Sequence, residues 1–243
     1  QYAQEMVDAL LVYARAKQPL IIHSSCSMGS TGPITIAGSL VISNACTLAG
    51  ICLTQLVNPG TPIVYGLGGS PTDMQTGGYV NASPEDAKHT AIVTALGRYY
   101  NIPCRSQGAL TESFSLDYQA GMESSMMLST AALSGAHVSL HACGTYGSML
   151  AMSFEKFIAD EDLCRAVKTL MKPIEFSEDA FAMDMIKKMG TSGNYLIEPH
   201  TAGRCRSEFF IPDLNTRAIH AKWLKMEPRQ MDERASQLLE KRL

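Results

Sequence analysis

The stretch "PGTPIVYGLGG", residues 59–69, sets a proline ahead of an apolar, β-rich run that ends in small residues. Proline lacks an N–H and is tolerated as the first residue of a strand, so Pro62 marks a strand start and the glycines its end. The same grammar occurs upstream in "KQPLIIHSS", residues 17–25, and downstream in "NIPCRSQGAL", residues 101–110. Between the prolines at 19, 62 and 103 there is room for one helix each. A further strand, "AHVSLHACG", follows the helix that carries Tyr118, Met122 and Met126. Short buried strands alternating with single helices imply parallel pairing with crossovers, hence an α/β barrel or a doubly wound sheet.

The barrel is the preferred reading. The strand ends are rich in small and polar residues, and "GLGGS" after Tyr65 lacks the third glycine of a dinucleotide fingerprint. Four or five strands are visible in residues 1–172, fewer than close a (β/α)8 TIM-type barrel. On this reading the others come from an N-terminal region or a partner chain. The chain begins at Gln1, already inside a helical pattern of Met6, Leu10, Leu11 and Ala14, as the C-terminal portion of something longer would. Residues 173–243 form an extension that covers one end of the barrel. It holds a helix around Asp179–Met189, an irregular stretch "SGNYLIEPHTAGRCRSEFFIPDL", and a charged helix over residues 228–243.

With 46% hydrophobic and 18% charged residues among 243, and a formal charge of -3 with acids and bases mixed, the chain has no basic stripe for nucleic acid. The run "ITIAGSLVISNACTLAGICLTQL" is broken by Ser, Asn, Thr and Gln and is expected to pack as a buried helix, not a membrane span. Seven scattered cysteines suggest reduced, mostly buried thiols in the cytoplasm.

Several segments carry chemistry. In "AHVSLHACG", a strand places His137, Ser139, His141 and Cys143 on one face, and His141 with Cys143 starts a zinc site for which Cys164 and Cys205 are candidate third ligands. A polar interior satisfied by hydrogen bonds is the alternative. "HSSCSMGSTGP", residues 23–33, is a strand end and a loop suited to hold an anion or simply to cap a helix, with His23 a candidate acid or base. In the long loop of residues 65–86, Tyr65 and Tyr79 offer aromatic faces for a quaternary ammonium, and Ser83 caps the next helix. Beyond the third strand, Glu112 and Asp117 can balance an alkylammonium, although Asp117 can equally be a helix N-cap.

"PLIIHSSCSMGSTGPITIAGSLVISNACTLAGICLTQLVNPGTPIVYG", "SLDYQAGMESSMMLSTAALSGAHV" and "EPHTAGRCRSEFFIPDL" together resemble, in order and spacing, the trimethylamine methyltransferases and their relatives without pyrrolysine. The resemblance covers nearly the whole chain and corresponds to the C-terminal half of a typical member. It implies a (β/α)8 barrel that moves a methyl group from a methylated amine to cobalt(I) of a corrinoid on a separate small protein, with no tightly bound cofactor. His23, Tyr65, Tyr79, Gln107, Glu112, Asp117 and His141 are the residues expected near the substrate, in a cytoplasmic homo-oligomer. Pyrrolysine stands near Gln107 to Thr111 in trimethylamine enzymes proper; standard residues here favour a quaternary substrate of the betaine, carnitine or choline type. A zinc-dependent corrinoid-to-thiol methyltransferase using His141 and Cys143, or a noncatalytic ligand-binding barrel fragment, are the alternatives.

Overall fold

The computed structural model describes residues 2–243; Gln1 lies outside the described residues. Helix α1 (Gln4–Arg15) buries Leu10 and Ala14, two residues of the N-terminal helical pattern. Three β-α units follow: β1 (Leu20–Ser25) with α2 (Ile36–Val57), β2 (Ile63–Gly68) with α3 (Pro84–Tyr99), and β3 (Arg105–Gln107) with α4 (Tyr118–Leu133). Strand β4 (Val138–Leu140), the short hairpin of β5 (Thr145–Tyr146) and β6 (Ala151–Met152), and α5 (Phe154–Leu170) complete this part. β1 pairs parallel to β2 from Leu20↔Ile63 to Ser25↔Gly68, and β3 parallel to β4. A parallel bridge between Tyr65 and Cys104 joins β2 to β3. The strands therefore run in chain order, each crossing over through a helix, as the proline spacing anticipates.

Helices α2 to α5 each start where the sequence supplies a cap. Thr35, Ser83, Asp117 and Ser153 accept from the backbone N–H three residues on at the starts of α2, α3, α4 and α5. Pro84 then takes the first turn of α3, where its missing N–H costs nothing.

The main core lies between the sheet and the helices. Ile22, Tyr65, Leu67 and Cys104 from the strands meet Leu10, Ile51 and Val93. Burying each large side chain of this kind contributes roughly 1.5–3 kcal/mol. Helix α2 is long and apolar enough to cross a membrane by length and composition, with mean hydropathy 1.8. Its stripe against the sheet is nevertheless built mostly of small residues, Ser39, Ser43, Thr47, Gly50 and Thr54, with Ile51 among them. These allow close approach and peg the helix to the strands. Ser24 N–H donates to Thr47 Oγ1 (3.2 Å), whose hydroxyl donates to the Gly66 carbonyl (3.1 Å). Val41, Ile42 and Leu56 stay exposed, so the helix is buried on one stripe only, short of the full burial expected.

Beyond Lys172 the chain forms α6 (Glu178–Phe181), α7 (Met183–Met189), α8 (Pro199–Glu208), α9 (His220–Trp223) and α10 (Met231–Arg242). The single helix expected around Asp179–Met189 is broken at Ala182, whose φ of 51° places it in the left-handed region. The stretch expected to be irregular contains α8, opened by Pro199 at its first turn. Helix α10 packs on α5 through Ala235, Leu214 and Ile158. Arg234 donates to the Leu214 carbonyl at 2.6 Å, and Arg165 pairs with Asp213 at 2.5 Å beside it.

Candidate functional site

Side chains alternate across a strand. Because Ile22, Tyr65, Leu67 and Cys104 face the helices, His23 and Ser25 of β1, Gly66 and Gly68 of β2, and Arg105 and Gln107 of β3 lie on the opposite face. Contacts across that face agree. A Cβ placed on Gly66 would stand 3.0 Å from Arg105 Cγ and 3.1 Å from His23 Nδ1. Missing side chains at 66 and 68 leave a furrow along β2, and His23 and Arg105 meet over it.

Arg105 is the centre of the cluster. It is 6% exposed, and Nη2 donates to His23 Nε2 at 2.7 Å, while Nε and Nη1 have no hydrogen-bond partner. A buried guanidinium with two idle nitrogens is unusual, because unsatisfied buried donors cost about 1–3 kcal/mol or more when charged. Burial lowers its pKa, and Tyr79 and Asp86 act in the opposite sense. The ring of His23 keeps solvent access along the open face, but its nitrogens are crowded by Gly66, Gly68 and Arg105. Desolvation, then the Arg105 charge, pushes His23 down to about 3, so it accepts the arginine's proton donor as neutral imidazole. His141 Nδ1 sits 3.4 Å from Gln107 Oε1, and its pKa is lowered by burial and then by Arg105.

Behind this cluster lie further buried polar groups without partners: both amide atoms of Asn81, Ser70 Oγ and His89 Nε2. Desolvation holds His89 at about 4. Asp86, pushed up to about 6 chiefly by burial, accepts from the Ala82 N–H. Glu112 ties three loops together, accepting from the Asn81 N–H (2.6 Å) and from Ser148 Oγ, whose single proton is shared with the Tyr79 carbonyl 2.7 Å away. Ser148 and Met149 hold positive φ of 51° and 68° in that tie, a strained backbone of the kind found at functional sites.

Of the residues singled out from sequence, the structure brings His23, Gln107 and His141 together around Arg105, with Tyr79 and Glu112 joined beside them through Ser148. It places two elsewhere. Tyr65 is fully buried on the helix side, its hydroxyl donating to Asn44 Oδ1 at 2.8 Å and its ring 5.6 Å from that of Tyr100. No ring face is left for a ligand, because residue 65 has the parity of the core positions. Asp117 is the N-cap of α4, taking bonds from Ser115, Ala120 and Ser113 that hold its carboxyl at about 2.

The shared face expected for His137, Ser139, His141 and Cys143 is also corrected. β4 ends at Leu140 and His141 turns to a φ of 53°, which breaks the alternation. Cys143 Sγ instead approaches Cys164 Sγ at 3.9 Å. Among the described residues no three His, Cys, Asp or Glu side chains gather as a metal-binding group. All seven cysteines are free, but only Cys26 and Cys104 are fully buried, fewer than expected.

A profile of the trimethylamine methyltransferase (MTTB) family matches residues 1–243. The chain belongs to this family. It is 41% identical over 225 residues to a glycine betaine methyltransferase of Desulfitobacterium hafniense strain Y51, covering 93% of this chain and 47% of that protein. It is 37% identical over 245 residues to a proline betaine:corrinoid methyltransferase of Eubacterium limosum, covering 100% and 50%. An L-carnitine:corrinoid methyltransferase of the same organism is 38% identical over 195 residues, covering 79% and 40%. The chain thus spans about half the length, or less, of these relatives.

Sequence reasoning missed Arg105, Asn81, His89 and Ser70. Arg105 had a signal: a cation inside an otherwise small and apolar strand, two residues from Gln107 and so on its face.

Proposed function

We propose that this chain is part of a corrinoid-dependent methyltransferase whose substrate is a quaternary amine bearing a carboxylate. The observation that carries the reading is Arg105, a buried guanidinium with two unpartnered nitrogens at the first residue of β3, level with Gly66 of β2 and His23 of β1. A guanidinium with free N–H groups suits a carboxylate, which it holds through charge-assisted hydrogen bonds. Glycine betaine, proline betaine and carnitine, named in the relatives, each pair a carboxylate with a methylated ammonium; choline and trimethylamine lack the carboxylate.

The chemistry fits the rest of the cluster. A quaternary ammonium that loses a methyl group leaves as a neutral amine, so no residue has to deliver a proton. Neutral His23 and His141 are adequate neighbours, and Arg105 fixes one end of the substrate. Tyr79 and Glu112 offer an aromatic face and a carboxylate to the cationic end. What these residues do is bind, strip water and aim one methyl group outward.

A corrinoid on its carrier would have to reach the same mouth. Phe114, Leu150 and Met152, on the segments after β3 and β4, are exposed apolar side chains suited to the face of a macrocycle or its carrier. When bound, the corrinoid supplies the cobalt(I) nucleophile that takes the methyl group.

On this reading residues 1–172 supply part of a (β/α)8 barrel, supported by the in-order parallel strands, and residues 173–243 are an extension packed through α10 on α5. The assembled protein is a cytoplasmic homo-oligomer, supported by the free thiols and the exposed apolar side of α2.

Calorimetry with glycine betaine, L-carnitine, choline and trimethylamine tests the reading. Glycine betaine or carnitine should bind and choline should not. Equal binding of choline, or no binding of any amine together with no methylation of a reduced corrinoid protein, overturns it.

A further inference from the structure

Cys143 follows His141 in the segment after β4, and Cys164 lies in α5. Their sulfurs are 3.9 Å apart, and the Cys164 thiol also donates to the Ala142 carbonyl at 3.7 Å. Both side chains are half-buried, so a small molecule can reach them. Cys26, by contrast, is buried against Ser39 and Ser43.

The segment between them is tightly placed. A Cβ on Gly108 would stand 2.6 Å from Ala142 Cα, so the two backbones touch. On the other side Gly144 N–H donates to Asp160 Oδ2 at 2.9 Å, and the Gly144 carbonyl accepts from the Ser153 N–H at 3.1 Å. The loop carrying His141 is thus pressed between the β3 end and α5, with the thiol pair at its seam.

We propose that Cys143 and Cys164 form a redox-active dithiol whose closure to a disulfide pins the His141 loop to α5. A disulfide needs its sulfurs about 2.0 Å apart, so the gap must close by roughly 2 Å, within the reach of a side-chain rotation. The oxidant class is a peroxide. The Cys164 thiolate attacks one peroxide oxygen, giving a sulfenic acid and releasing the first water once its oxygen takes up a proton. The Cys143 thiol then displaces the hydroxyl of that sulfenic acid, forming the S–S bond and releasing the second water. Overall the two thiols lose two electrons and two protons, and hydrogen peroxide becomes two waters. The hydrogen bond between the two sulfurs, in which either can donate, stabilises the thiolate that starts the sequence. None of this depends on the identity of the methyl donor.

The test is peptide mass spectrometry without reductant on the chain treated with hydrogen peroxide, alongside hydrogen exchange. The expected result is a peptide containing Cys143 linked to one containing Cys164, released by dithiothreitol, with exchange over residues 141–149 slowed several-fold. In Cys143→Ser, Cys164 should run on to sulfinic acid. Two alkylatable thiols after oxidation, linkage to other cysteines, or a link that leaves exchange unchanged would each overturn the proposal.

Discussion

Arg105 Nη2 donates to His23 Nε2 across the bare Gly66 backbone, so the third strand reaches the first over the second at 2.7 Å. The contact uses one of the guanidinium nitrogens and leaves Nε and Nη1 for a ligand. Replacing Arg105 with Lys keeps the charge but loses the planar array of N–H donors. Betaine affinity should fall about 10- to 100-fold, since a hydrogen bond to a charged group contributes roughly 1.5–3 kcal/mol. Calorimetry on Arg105→Lys and Arg105→Met reads it directly; unchanged affinity in both removes Arg105 from the site.

Gly66→Ala addresses the furrow without touching a polar group. The new methyl would meet Arg105 Cγ at 3.0 Å and Nε at 3.2 Å, both on a long side chain that can move aside. We expect a stable protein with weakened carboxylate binding. Thermal unfolding and ligand titration on one sample separate the two effects, and a variant that binds as the parent does would show that the furrow is not used.

His89 gives a prediction in pH. Its ring is 1% exposed with Nε2 unpartnered, and desolvation lowers its pKa from the ordinary 6.5 to about 4. Protons then bind the unfolded chain more readily than the folded one between those values. The histidine therefore contributes stability that is complete above pH 6.5 and is lost as pH falls toward 4. Asp86, raised to about 6, works the other way: its folded form binds the extra proton, and its contribution declines as pH rises through that range. Because the two oppose, the clean observable is the His89 ring resonance, which should titrate well below 6. A midpoint near 6.5 would mean that the ring is solvated.

Much of this arrangement was legible in the sequence, and the exceptions share a physical cause. Prolines 19, 62 and 103 stand one or two residues ahead of β1, β2 and β3, because the interior of a paired strand does not tolerate the missing N–H. The caps at Ser83 and Asp117 are local chemistry and are read locally. Tyr65 was misplaced because residue type alone suggested a ligand platform, whereas strand parity decides the face. His141 and Cys143 were misplaced because β4 ends at Leu140, before the alternation reaches either residue. Asn81 and His89 carry no local signal, since their significance is the absence of partners, which only the folded contacts reveal.

Lys156 and Asp160 supply a last test, of the scaffold behind the site. Lys156 Nζ is 1% exposed and is held by Asp160 at 2.5 Å, Ser124 Oγ at 2.9 Å and the Ala109 carbonyl at 3.3 Å. Through Ala109 and Ser124 the ammonium braces the segment between β3 and α4, and through Asp160 it braces Gly144. Lys156→Met would leave the Asp160 carboxylate buried with only its backbone donor, a change that typically costs about 3–5 kcal/mol. Asp160, already pushed up to about 6 chiefly by burial, would take up a proton more readily still once the ammonium is gone. The deficit should therefore shrink as pH falls below neutrality. Replacing both residues, Lys156→Met with Asp160→Leu, should recover much of the loss, because the buried charge is then absent altogether. Urea unfolding of the two single variants and the double variant at pH 7 and pH 5 measures this coupling; additive losses would mean that the pair does not act as a unit.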